Sequence, residues 1–116
     1  MRRELEDRLF WQERLDGLTL RVVGLGAPAK ATVWLNYMGF TQADVDYVVD
    51  STPEKQGRWI PGVAIPIYPR EMMLMRSPDL ILVFAHNYVD EIVKWAIPYN
   101  PLMAPMFNVA TRERVA

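Results

Sequence analysis

Residues 22–37 read VVGLGAPAKATVWLNY, and the fold turns on how that stretch is read. The run that leads into it, LTLRVVGL (Leu18 to Leu25), is apolar and β-branched and stops at glycine, the pattern of a strand buried on both faces. Past Gly26 a helix is expected from about Pro28 to Met38. Proline suits a first helical position because that amide has no intrahelical partner, and Gly39 suits the exit.

Working outward, DVDYVVD (Asp44 to Asp50) reads as a second strand. STPEKQGRWIPG (Ser51 to Gly62) is a proline- and glycine-rich polar loop, long enough to be a binding element. VAIPIY is expected to be a short edge strand, since Pro66 cannot donate to a ladder, and PREMMLMRS a short helix whose methionines fill the core. DLILVFA (Asp79 to Ala85) is the clearest buried strand. The helix after it carries Val89, Ile92, Val93 and Ala96 on one face, Asn87 as N-cap, Asp90 and Glu91 in the first turn and Lys94 beyond, the charge order a helix dipole favours. PMFNVA gives a last strand. Upstream, Leu5 and Leu9 stand one turn apart, Trp11, Leu15 and Leu18 keep helical spacing, and Gly17 supplies a stop. The expectation is an N-terminal helix over residues 1–17 packed on a single Rossmann-like α/β domain over residues 18–116, a mostly parallel sheet flanked by helices.

Composition narrows the function. The chain has 116 residues, 51% of them hydrophobic and 23% charged, enough for one well-packed core. Thirteen basic and fourteen acidic residues leave a net charge of -1, without the basic excess of a nucleic-acid binder. No cysteine and a single histidine, His86, exclude disulfides and thiolate zinc sites within the chain. The charged start, MRRELEDRLFWQERLDG, lacks the apolar core of a signal peptide, and no run is long enough to span a bilayer, so a cytoplasmic protein without membrane partners is expected.

The turn GLGAPAK admits several chemistries. A P-loop places glycine directly before lysine and a hydroxyl after it, whereas Ala29 and Ala31 flank Lys30, so the ATPase reading fails. A dinucleotide fingerprint is met by Gly24, Gly26 and Ala29, with Asp50 about 20 residues on at the place of a ribose partner. Either pattern lets ligand oxygens approach amides at a helix N-terminus, to which Lys30 adds a full charge. Glycine in such a turn equally serves tight packing alone.

The full wording resembles a known family. Gly24, Gly26 to Lys30 and Leu35 to Tyr37, followed by Pro53, Lys55 to Arg58, Pro61, Gly62, Ile65 and Pro66, are similar to two motifs of the carboxy-terminal domain of sugar-nucleotide C-methyltransferases. The likeness extends to Asn87. Ala31 stands where that family has glycine, His86 where it usually has tryptophan, and the tail from Tyr99 departs from it. The resemblance implies a Rossmann-like module that closes over a nucleoside-diphosphate sugar. It places the zinc site, the catalytic base and S-adenosylmethionine in other domains, so this chain alone carries no catalytic residue, no cofactor and no metal, and is not expected to methylate by itself.

On that basis the candidate substrate-binding residues are Gly24, Gly26, Ala27, Lys30, Asp50, Lys55, Gln56, Arg58, His86 and Asn87. Lys30, Lys55 and Arg58 offer cations to a diphosphate. Gln56, Asn87 and Asp50 offer hydrogen bonds to sugar or ribose hydroxyls, and Trp59 or Tyr68 a ring to cover a base. The expected partners are a nucleotide sugar and a methyltransferase catalytic subunit of a split enzyme. Two other readings stay open: a small domain that binds NAD or S-adenosylmethionine at the Gly24 turn, and a structural domain whose apolar surface makes a homodimer.

Overall fold

In a computed structural model the described residues are 20–27, 29–84 and 88–116. The expected helix over residues 1–17, His86, Asn87 and the side chain of Lys30 lie outside them. The described chain runs β1 (Val22–Leu25), α1 (Ala29–Met38), β2 (Tyr47–Val49), β3 (Trp59–Ile60), β4 (Ile65–Tyr68), α2 (Met72–Met75), β5 (Leu80–Val83), α3 (Val89–Ala96), a short 3-10 turn (Ile97–Tyr99) and β6 (Met106–Asn108).

The six strands form one sheet in the order β3-β4-β2-β1-β5-β6. Every pairing is parallel except that of β3 with β4. The α/β architecture expected from the glycine turn is therefore present. From β1 the chain moves to β2 and β4 on one side, then returns to place β5 and β6 on the other. Ligands of open α/β sheets bind at the carboxyl ends of strands where the winding reverses, here β1 and β5.

Period-2 alternation builds a core on each face, as strands buried on both sides require. Val22, Val48, Ile67 and Leu82 meet Ala31, Leu35 and Met38 of α1 on one face. Val23, Leu25, Tyr47, Val49, Ile81 and Val83 meet Met73 of α2 and Ile92, Val93 and Ala96 of α3 on the other. Burial of each large aliphatic side chain contributes about 1.5–3 kcal/mol. Helix α1 closes as expected at Gly39: its amide donates to the Asn36 carbonyl and that of Phe40 to the Leu35 carbonyl, a Schellman pair, with Phe40 and Leu35 both buried.

Four sequence expectations need correction. The first strand begins at Val22, after Leu20 and Arg21, so it is shorter than Leu18–Leu25. β4 is an inner strand, because Trp59 and Ile60, inside the stretch read as loop, pair with Pro66 and Ile65. Pro66 is tolerated there because Ile67 spends its amide and carbonyl on the β3 side, and pairing with β2 starts only at Val48 opposite Ile67. Only Met73 of the α2 methionines is fully buried, while Met75 is 80% exposed. Tyr88, rather than Asn87, precedes α3 at its cap position.

At the amino edge of the sheet the Asp46 carboxylate bridges Arg76 at 2.6 Å and Arg21 at 3.2 Å. Arg70 ties α2 to α3: it donates to the Trp95 carbonyl at 2.8 Å and lies 4.2 Å over the Tyr99 ring. The last residues fold back, with Phe107 bridging Arg114 in antiparallel fashion. Among the described residues no helix is long and apolar enough to cross a membrane.

Candidate site at the carboxyl edge of the sheet

β1 delivers Gly26 to the carboxyl edge in a positive-φ turn (φ 88°), and its amide donates to the Val49 carbonyl at 2.8 Å. β2 delivers Asp50 beside it. This carboxylate is only 7% exposed, yet both oxygens are satisfied: Oδ2 accepts from the Ala27 amide at 2.7 Å and Oδ1 from the Thr52 amide at 2.7 Å. The loop that follows then turns back. Lys55 donates its ammonium to the Ala27 carbonyl at 2.8 Å, and Gln56 donates its side-chain amide to the Asp50 carbonyl at 2.8 Å.

Both backbone polar groups of Ala27 are thus held by one loop, the amide by an anion and the carbonyl by a cation. Charge-assisted bonds of this kind are about twice as strong as neutral ones. The glycine turn and the second sequence motif form one bonded unit, and the structure brings Gly26, Ala27, Asp50, Lys55 and Gln56 together.

The remaining candidates divide. Gly24 lies inside β1, where an added Cβ would meet Phe84 at 2.7 Å and Val48 at 2.9 Å, so its missing side chain makes room for the Phe84 ring. Arg58 is exposed, and its guanidinium has no partner among the described residues, while its backbone pairs with Ile67 and Lys55. Trp59 next to it is 58% exposed on the edge strand, whereas Tyr68 packs edge-on to Tyr47 at 5.7 Å between centroids. Of these groups Lys55 alone reaches the turn, and two of its ammonium protons have no partner among the described residues, while Arg58 and Trp59 follow it toward the edge strand.

Sequence reasoning placed Asn36 in the first motif but gave it no role. Its side-chain amide donates to the Thr32 carbonyl at 2.7 Å and to the Pro61 carbonyl at 2.8 Å, which fastens α1 to the end of the second motif. Asparagine is a poor residue for a helix interior, and that was the available signal. An open cavity of about 230 Å3 lies at the opposite, amino edge, lined by Leu20, Arg21, Val22, Gln42, Ala43, Asp44 and Asp46. It contains none of the candidates. No group of three His, Cys, Asp or Glu side chains able to hold a metal occurs among the described residues.

The fold is a doubly wound α/β domain whose glycine turn is bonded to a loop that carries Lys55 and Arg58. The chain belongs to the family described as the C-methyltransferase C-terminal domain, whose profile matches residues 2–99. It is similar to the C-methyltransferase NovU of Streptomyces niveus, at 38% identity over 78 residues, which take in 67% of this chain and 18% of that protein. The matched part is thus less than a fifth of the relative's length.

Proposed function

We propose that this chain is the substrate-holding domain of a C-methyltransferase, binding a nucleoside-diphosphate sugar at the carboxyl edge, with the catalytic groups and S-adenosylmethionine supplied by a partner domain or subunit. The observation that carries the reading is the bonding of the Asp50–Lys55 loop to the Gly26–Ala27 turn, which brings the Lys55 ammonium to the carboxyl edge with Arg58 three residues further along the same loop. Arg58 grips a phosphate in bidentate fashion, Lys55 supplies a second charge, and the exposed Trp59 offers a face to a base or sugar ring. The family and the C-methyltransferase relative support the same assignment. The fingerprint reading with NAD is less well supported, because Phe84 uses the space at Gly24 and two backbone amides engage the Asp50 oxygens.

Calorimetry with thymidine and uridine diphosphates, their hexose conjugates, S-adenosylmethionine and NAD tests the proposal. Binding of a diphosphate or its conjugate, weakened about tenfold or more by Arg58→Ala, is the expected outcome, since even one lost charged hydrogen bond is of that size. Binding of S-adenosylmethionine or NAD with no response to any diphosphate would overturn it.

A further inference from the structure

Asp50 poses an electrostatic difficulty for the proposed site, because a buried carboxylate beside a diphosphate repels it. Its geometry answers the difficulty. The carboxylate sits on the Ala27 and Thr52 amides, while Lys55 holds the Ala27 carbonyl, and no ion pair joins Asp50 to Lys55 directly. The two charges meet only through the backbone of Ala27, the residue between the positive-φ glycine and Pro28, which has no amide to donate.

We propose that Asp50 and Lys55 form a clamp on Ala27 that positions the glycine turn for ligand, with Asp50 acting wholly through position and Lys55 through its bond to the Ala27 carbonyl. The clamp rests on the nucleotide-sugar reading for its purpose, but the ordering of the turn is measurable without ligand. With the Lys55 bond released, the Ala27 segment swings on Gly26 and the Asp50 bond to its amide opens more often, although Lys55 never touches that amide. A residue that opposes the ligand by charge yet favours it by position gives a sign that simple electrostatics does not.

The test uses the 116-residue chain with two readouts. The first is amide hydrogen exchange in the free protein. The Ala27 amide is expected to exchange at least about tenfold faster in Lys55→Met, while the Ile81 amide, which donates to the Pro105 carbonyl inside the sheet, keeps its rate. An unchanged Ala27 rate overturns the clamp whether or not any ligand binds.

The second readout is the affinity of wild type and Asp50→Asn for thymidine diphosphate. Asparagine keeps one acceptor and turns the other into a donor, which breaks one of the two amide bonds. The clamp requires affinity to fall about fivefold or more, whereas charge repulsion alone requires it to rise. Equal or tighter binding by Asp50→Asn overturns the clamp and leaves the nucleotide reading standing. Silence of the wild type toward diphosphates overturns the nucleotide reading, and the exchange result then decides the clamp alone. If Asp50→Asn does not fold, the Lys55→Met exchange measurement is decisive in the same way.

Discussion

Gly62 lies against the carboxamide of Asn36 so closely that a Cβ added to it would overlap the Asn36 side-chain oxygen. The two sequence motifs are joined at this point, since Asn36 also donates to the carbonyl of Pro61, 25 residues on. Gly62→Ala is expected to cost about 2–3 kcal/mol, combining a left-handed backbone (φ +86°) with displacement of the Asn36 carboxamide from the Pro61 carbonyl. Gly57→Ala has nearly the same φ, +82°, but meets nothing within 4 Å and should cost only about 1 kcal/mol. Urea unfolding of the pair separates strain from clash, and equal losses would refute the contact with Asn36.

The Gly24 position predicts a compensating pair. Gly24→Ala pushes a methyl into the Phe84 ring and Val48, and overpacking of this kind costs about 1–3 kcal/mol. Phe84→Leu withdraws the nearest ring atoms, so the double variant is expected to lose less than the sum of the two single ones. A double-mutant cycle with no coupling would show that Gly24 serves something other than Phe84.

Much of this organisation is legible in the sequence because burial writes it there. The apolar runs of β1 and β5, the Val89–Ala96 face and the glycine exit of α1 each follow from one local rule, and each element is present, though β1 starts only at Val22. What local rules miss is decided by neighbours. Pro66 implies an edge only until Trp59 and Ile60 cover β4, and a methionine pattern does not say which side chain faces the sheet, so Met75 stays outside. The site shows the same division. Glycines and cations mark the turn and the loop, but the bonds of Asp50 and Lys55 to Ala27 and of Asn36 to Pro61 are tertiary, and residue types alone do not reveal which carbonyl a lysine finds.

The two loop cations differ in what they hold, and stability should separate them. Lys55→Ala removes a charge-assisted bond to the Ala27 carbonyl and is expected to cost about 1.5–3 kcal/mol. Arg58→Ala removes an exposed side chain without a partner among the described residues, and its unfolding free energy from urea titration should stay within about 0.5 kcal/mol of wild type. Equal losses would place Arg58 in the framework of the domain and weaken its assignment to ligand.

Tyr47 predicts the alkaline limit of the fold. The residue is fully buried on β2 in the face covered by Met73, its hydroxyl donates to the Arg76 carbonyl at 2.6 Å, and burial, partly opposed by nearby Arg21, pushes the phenol from 10.0 up to about 12. The folded chain therefore keeps this proton more tightly than the unfolded one. Its contribution is complete below pH 10 and is lost as pH rises toward 12, at up to ~1.4 kcal/mol per pH unit. Tyr47→Phe loses the hydrogen bond and leaves the Arg76 carbonyl without it, costing about 1–2 kcal/mol at neutral pH, but it has no phenol to ionise. Urea unfolding of both proteins from neutral pH into the alkaline range should show the wild-type advantage constant at first and shrinking above pH 10, and parallel curves throughout would mean that the phenol is not held in its neutral form.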